Sequence, residues 1–134
     1  MYMKEEQIEK ILEKWGAKKE PNHKDYPLPV LVSLGYKIGR QWASNQNRGD
    51  LLSRFEEFYN DWTNNILTSQ RYKMLYEELD TASIIAEMSD TLNQALVDPQ
   101  VAAAMLEHFH LFEKGIVWGL MSTIKNIITE VKST

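Results

Sequence analysis

The chain has 134 residues, 43% hydrophobic and 25% charged, which is typical of one globular domain and unlike a disordered chain. Its formal net charge of -4 argues against nucleic-acid binding, because basic residues dominate affinity for a phosphate backbone. The lack of cysteine excludes disulfides, thiolate metal sites and cysteine nucleophiles. We therefore expect a single helical domain over residues 1–134, for the reasons that follow.

A first helix is predicted from about residue 3 to Trp15, because Ile8, Ile11, Leu12 and Trp15 share one apolar face. Gly16 can end it. The following segment, at about 17–29, contains Pro21, Pro27 and Pro29, and prolines exclude regular helix in most positions. We expect this segment to be an irregular connector.

Three later segments follow the helical period of 3.6 residues. A second helix is predicted from about Val30 to Asn45, and a third begins at Asp50, whose carboxylate can cap it. The pattern from Ser69 to Val97 fits either one helix or two, with a possible break at Asp80 and Thr81. Asp98 followed by Pro99 is a helix start signal, and the final helix is predicted to run to about Val131.

No segment alternates as a β-strand does. Five to six helices with short loops predict an all-α fold, a compact bundle of mostly antiparallel neighbours. The last helix is apolar around much of its circumference, so we expect this long C-terminal helix to be packed centrally.

Small residues recur at every fourth position on two of these helices. They are Gly35, Gly39 and Ala43 on the second helix, and Gly115, Gly119 and Thr123 on the last. Glycine inside a helix costs about 0.5 to 1 kcal/mol relative to alanine. We therefore expect a favourable contact at these positions that compensates for this cost. One interpretation is close helix packing, within one chain or across a dimer. The other is a groove that holds a flat apolar ligand, to which Trp42 and Trp118 could contribute, although aromatic residues at this spacing are more often core.

Acidic residues offer one enzymatic interpretation. Glu87 and Asp90 lie three apart on one helical face, and a facing pair such as Glu57 and Asp61 would complete an oxygen-rich magnesium site. This pattern resembles the all-helical MazG-type nucleotide pyrophosphatases, whose Glu-x-x-Glu and Glu-x-x-Asp motifs hold magnesium and a triphosphate. The resemblance covers about residues 57–90 and implies magnesium-dependent nucleotide hydrolysis. It departs from the family at Glu57 and Asp61, which lie four apart with Asp in place of the second Glu.

Other catalytic patterns are incomplete or missing. Glu107-x-x-His110 occurs once, whereas di-iron bundles use such a unit twice, and a solvated helix face is the more common reason for it. There is no dinucleotide-binding, Walker or nucleophile-elbow motif. We accordingly expect no cofactor and no resident metal.

Three functions remain open from the sequence. The leading hypothesis is a small interaction or regulatory protein without catalytic activity, which binds a protein partner or itself as a homo-oligomer. A bundle that binds an apolar small ligand and a MazG-like pyrophosphatase are the alternatives. The acidic start, Met1-Tyr2-Met3-Lys4-Glu5-Glu6, lacks the features of a signal peptide, and no segment has the length of a membrane span, so we expect a cytoplasmic protein away from the membrane.

Overall fold

The computed structural model describes the backbone of residues 27–133 and the side chains of residues 30–130. The predicted first helix and most of the proline-rich connector lie outside the described residues. Within them the structure contains seven α-helices and no strand: α1 (Pro27–Ser44), α2 (Arg48–Thr63), α3 (Ser69–Leu79), α4 (Thr81–Glu87), α5 (Ser89–Leu96), α6 (Pro99–Glu107) and α7 (Phe109–Ser133). The predicted all-α bundle with a long C-terminal helix is confirmed.

Helix α1 begins at Pro27, earlier than the predicted start at Val30. Residues 27–29 were expected in the connector because proline disrupts regular helix. Proline is tolerated in the first turn, however, since the backbone N–H groups there have no partner inside the helix. Both Pro27 and Pro29 occupy that turn.

Helix caps explain two further starts. Helix α2 is capped by Asn47, whose side chain accepts a hydrogen bond of 3.1 Å from the backbone N–H of Asp50, so the predicted cap at Asp50 is wrong. Asp98 caps α6 as predicted, because its carboxylate accepts a 2.9 Å bond from the N–H of Gln100.

The segment from Ser69 to Val97 forms three helices instead of one or two. Asp80 separates α3 from α4 in the left-handed conformation, with φ 49° and ψ 69°, and Met88 separates α4 from α5. The predicted final helix is also divided, because His108 adopts φ −129° and ψ 37° between α6 and α7. Each break is local, and the chain resumes a helix at once.

Helix α7 lies at the centre of the bundle and makes its most extensive contact with α1 among the described helices. Its buried side chains join those of α1 to α5 in one core. Phe55, Leu75, Leu79, Ile84, Phe112, Ile116, Leu120 and Ile124 are almost completely buried there. A second, smaller cluster joins α1 to α6 through Leu31, Val101 and Ala104.

The central pair runs parallel, which differs from the antiparallel neighbours expected for most of the bundle. Gly35 lies against Phe112 and Gly115, and Gly39 lies against Ile116, so residue numbers rise together along both helices. Farther along α7, Tyr36 donates a 3.2 Å hydrogen bond to the hydroxyl of Ser122. The parallel direction is possible because the intervening helices, α2 to α6, return the chain to the other end of the bundle.

No helix within residues 27–133 combines the length and apolar character that crossing a membrane requires.

Candidate functional site

The two glycine stripes meet each other along the contact between α1 and α7. A Cβ atom at Gly35 would clash with the carbonyl oxygen of Phe112 and lie 3.0 Å from the Cα of Gly115. A Cβ at Gly39 would similarly lie within 3.0 Å of the backbone of Ile116. The absent side chains therefore allow the two backbones to touch, an approach that ordinary side chains would prevent.

The contact is reciprocal. Gly115 faces the carbonyl oxygen of Val32, and Gly119 faces that of Tyr36. Each of the four glycines thus meets the carbonyl three positions before a glycine on the opposite helix. The arrangement has the form of a local two-fold relation between two segments of one chain, and we refer to it as the glycine contact.

The remaining residues of the two stripes also belong to the packed interior. Ala43 is buried, and the hydroxyl of Thr123 donates a 3.0 Å bond to the carbonyl oxygen of Gly119. Trp42 is buried and packs edge-on against Phe55 with 6.4 Å between ring centroids, while Trp118 is partly buried against the same core. Backbone atoms fill the space beside the glycines, so the glycine contact leaves no room for a flat ligand there.

The four candidate magnesium ligands do not converge. Glu57, Glu87 and Asp90 are exposed, and Asp61 forms a 3.0 Å ion pair with Arg71. Among the described residues no group of three or more histidine, aspartate or glutamate side chains could hold a metal ion. His110 and Glu107 are exposed near the break between α6 and α7, as expected for a solvated face.

A groove of about 680 Å³ opens where α3, the start of α4 and α7 meet. We call it the tyrosine groove, because Tyr72 and Tyr76 stack along α3 with ring centroids 6.1 Å apart and planes 28° from parallel. Its remaining lining residues are polar or charged: Ser69, Lys73, Glu77, Asp80, Thr81 and Glu113. Aromatic side chains and carboxylates therefore come together in this groove.

Glu113 projects from the central helix into this groove and is only partly exposed. Its carboxylate accepts a 3.4 Å hydrogen bond from the hydroxyl of Thr81. Burial raises the pKa of Glu113, although the Thr81 hydrogen bond and the nearby His110 act in the opposite direction. Burial, with smaller effects of Glu113 and Tyr72, raises the pKa of Tyr76 to about 12. The Tyr76 hydroxyl therefore stays protonated at neutral pH.

Sequence reasoning did not select this groove. Neither Tyr72 nor Glu113 was a candidate site residue. The available signal was the first carboxylate of α7, at Glu113, together with two tyrosines four apart on α3. Only the fold brings these elements together.

Helix α6 presents a second notable surface. Ala103 and Leu106 lie three apart on its outward side, and Leu106 is 88% exposed. Val97, just before the helix, is 80% exposed, and Phe109, just after it, is 36% exposed. We refer to Ala103 and Leu106 as the α6 face, an apolar surface with no charged residue between Asp98 and Glu107.

Comparisons with protein-family models, with curated proteins and with solved structures gave no significant match.

Proposed function

We propose that this chain is a small helical interaction protein without catalytic activity, which associates with a second copy of itself through the α6 face. The observation that carries the proposal is the exposure of Leu106. Large apolar side chains are normally buried, because their contact with water is unfavourable. Helix α6 buries Val101 and Ala104 against α1 and leaves Leu106 at the surface.

A second copy is the occupant that suits this surface. The α6 face carries no charge, so two copies related by a two-fold axis could bring it together without burying an unpaired ion. The glycine stripes are less suitable for self-association, since each is already covered by the other within one chain. Self-association through α6 requires no rearrangement of the core.

The other two hypotheses have weaker support. A ligand between the glycines would have to displace contacting backbone. Magnesium-dependent hydrolysis would require Glu57, Asp61, Glu87 and Asp90 to converge, whereas Asp61 is paired with Arg71 and the others are exposed. A cytoplasmic location stays a prediction from the sequence.

Light scattering coupled to size-exclusion chromatography tests the proposal over a range of protein concentrations. We expect the wild-type chain to shift from monomer to dimer as concentration rises, and Leu106→Glu to weaken dimerisation at least about tenfold, because it would place a charge in an apolar contact. Ile66→Glu is the matched control, since Ile66 is 61% exposed and lies in the connection between α2 and α3. A wild-type monomer at all concentrations, or equal behaviour of the two variants, would overturn the proposal.

A further inference from the structure

We propose that the tyrosine groove binds a guanidinium group, carried by an arginine side chain of a peptide or by a small organic cation. This site is separate from the α6 face and does not depend on self-association. The groove combines two aromatic faces with carboxylates around a space of about 680 Å³, which is large enough for a planar cation and its alkyl chain.

The aromatic part of the groove suits a flat cation. Tyr72 and Tyr76 lie four apart on α3, and both rings line the groove. A guanidinium group stacks on such rings and is attracted by the negative face of each. An ammonium group could use the same attraction but lacks the planar shape.

The protein already uses this combination twice within its own fold. The guanidinium of Arg71 lies 4.3 Å from the centroid of the Phe58 ring and pairs with Asp61 at 3.0 Å. The guanidinium of Arg54 lies 4.9 Å from the Phe55 ring and pairs with Glu78 at 2.7 Å. In both cases a ring and a carboxylate hold one arginine. The tyrosine groove presents rings and carboxylates, but its lining contains no arginine.

The charge of the lining favours a cation over an anion. Glu77, Asp80 and Glu113 oppose a single lysine, Lys73. Asp80 is engaged by Ser83, whose hydroxyl donates a 2.8 Å bond to it, so Glu113 and Glu77 are the carboxylates better placed to receive a ligand. Partial burial is the main reason that the pKa of Glu113 is raised, and the nearby His110 acts in the opposite direction. A bound guanidinium would add a positive charge beside this carboxylate.

Isothermal titration calorimetry of the full chain at neutral pH tests the site with two matched peptides. Acetyl-Gly-Arg-Gly-amide carries the guanidinium, and the same peptide with citrulline is a neutral group of nearly the same shape. We expect millimolar binding of the arginine peptide, in the range of about 1 mM, and at least about tenfold weaker binding of the citrulline peptide. Agmatine distinguishes the source of the cation. Binding as tight as that of the peptide indicates a small molecule, and weaker binding indicates a protein partner.

Two variants test whether the arginine peptide binds in the tyrosine groove. Glu113→Gln keeps an oxygen for Thr81 but removes the charge, and we expect it to weaken the arginine peptide about tenfold while leaving the citrulline peptide unchanged. Tyr72→Leu removes one ring and is expected to weaken the arginine peptide severalfold. Glu57→Gln, an exposed carboxylate of α2 outside the groove, is the control and should bind as the wild type does. Equal binding of the two peptides, no binding of either, or wild-type affinity in Glu113→Gln would overturn the proposal.

Discussion

At Gly35, Gly39, Gly115 and Gly119 the place of a side chain is taken by the backbone of the opposite helix. The Cα hydrogens of these residues point towards carbonyl oxygens, which is the geometry of weak Cα–H···O hydrogen bonds worth about 0.5–1 kcal/mol each. Four such contacts, with the packing that they permit, can offset the cost of glycine in a helix. The compensation requires that no Cβ is present.

Gly39→Ala tests this argument most directly. In an ordinary helix the change would stabilise the protein by about 0.5–1 kcal/mol. Here the new methyl group would meet the backbone of Ile116, which cannot move as a flexible side chain can, so we expect a loss of at least about 2 kcal/mol in the free energy of unfolding. Urea unfolding followed by tryptophan fluorescence measures the loss.

Gly49→Ala is the control for that experiment. Gly49 lies in the exposed first turn of α2, where a Cβ would approach only the Asn47 side chain, at 3.2 Å. We expect its stability to stay within about 1 kcal/mol of the wild type. A Gly39→Ala protein as stable as the wild type would show that the two helices can separate at little cost.

A second prediction for a single residue concerns the carboxyl group of Glu113. Because burial raises its pKa above the usual 4.5, the folded protein holds this proton more tightly than the unfolded chain does. The resulting contribution to stability is fully present below pH 4.5 and is lost as pH rises through the raised pKa. His110, Tyr76 and Thr81 are the titratable and polar groups that interact with it.

Glu113→Gln removes this titration. We expect the stability of the variant, relative to the wild type, to rise as pH increases from about 4.5 through the raised pKa and to level off above it. Urea unfolding at several pH values measures the difference, in which the titration of groups distant from Glu113 cancels. A difference that does not change with pH would contradict the stated effect of burial, and Glu57→Gln provides the comparison with an exposed carboxylate.

At the scale of elements, Asp80 both ends helix α3 and caps the start of helix α4. Its backbone is in the left-handed region as it ends α3, and its side chain accepts from the N–H and the hydroxyl of Ser83 as it begins α4. Asparagine tolerates the same backbone, its Oδ1 can accept the bond from the Ser83 N–H, and its Nδ2 can donate to the Ser83 hydroxyl. Alanine does neither, and glycine supplies only the backbone.

Substitutions at Asp80 should therefore separate the contribution of the left-handed backbone from that of the side-chain cap. We expect Asp80→Asn to be nearly neutral, Asp80→Gly to lose about 1 kcal/mol with the cap, and Asp80→Ala to lose about 2 kcal/mol or more because it also strains the backbone. Thermal unfolding followed by circular dichroism ranks the three. An alanine variant as stable as the asparagine variant would exclude a structural requirement at this position.

The element boundaries also show what the sequence could and could not predict. The helices, the Asp98 cap and the central position of α7 follow from apolar periodicity and capping chemistry. The breaks at Met88 and His108 do not, because neither residue is glycine or proline and the apolar pattern continues through both. Packing of short helices around α7 overrides local preference there.

The glycine contact and the tyrosine groove differ in the same way. The glycine contact was one of two predicted interpretations, since a repeated four-residue spacing is visible in the chain itself. The tyrosine groove depends on Thr81 and Glu113 meeting across the fold. No local pattern relates those two positions, so the groove could not be predicted from the sequence.

Across the whole molecule, the first and last described helices form the most extensive contact, and shorter helices pack around them. Buried side chains are unevenly distributed: α7 has many, whereas α4 and α5 each bury one large apolar residue, Ile84 and Leu92. Regions with few buried contacts open locally at lower free energy than the core does.

Hydrogen exchange followed by NMR should reveal this hierarchy. We expect backbone amides in the middle of α1 and α7 to exchange only through global unfolding, and those of α4 and α5 to exchange at least about tenfold faster through local opening. Gly39→Ala should accelerate exchange in α1 and α7 to a greater degree than in α4. Equal protection of all four helices would instead indicate that the bundle opens as one unit.

The glycine contact also has an evolutionary consequence. Where backbone meets backbone, enlarging one residue cannot be compensated by shrinking its neighbour, because the neighbour has no side chain to lose. Divergent descendants of this chain could exchange most core residues for others of similar volume, yet they would have to retain small residues at the positions of Gly35, Gly39, Gly115 and Gly119. Two small-residue pairs with four-residue spacing, one near each end of the helical region, are therefore the signature by which distant relatives could be recognised.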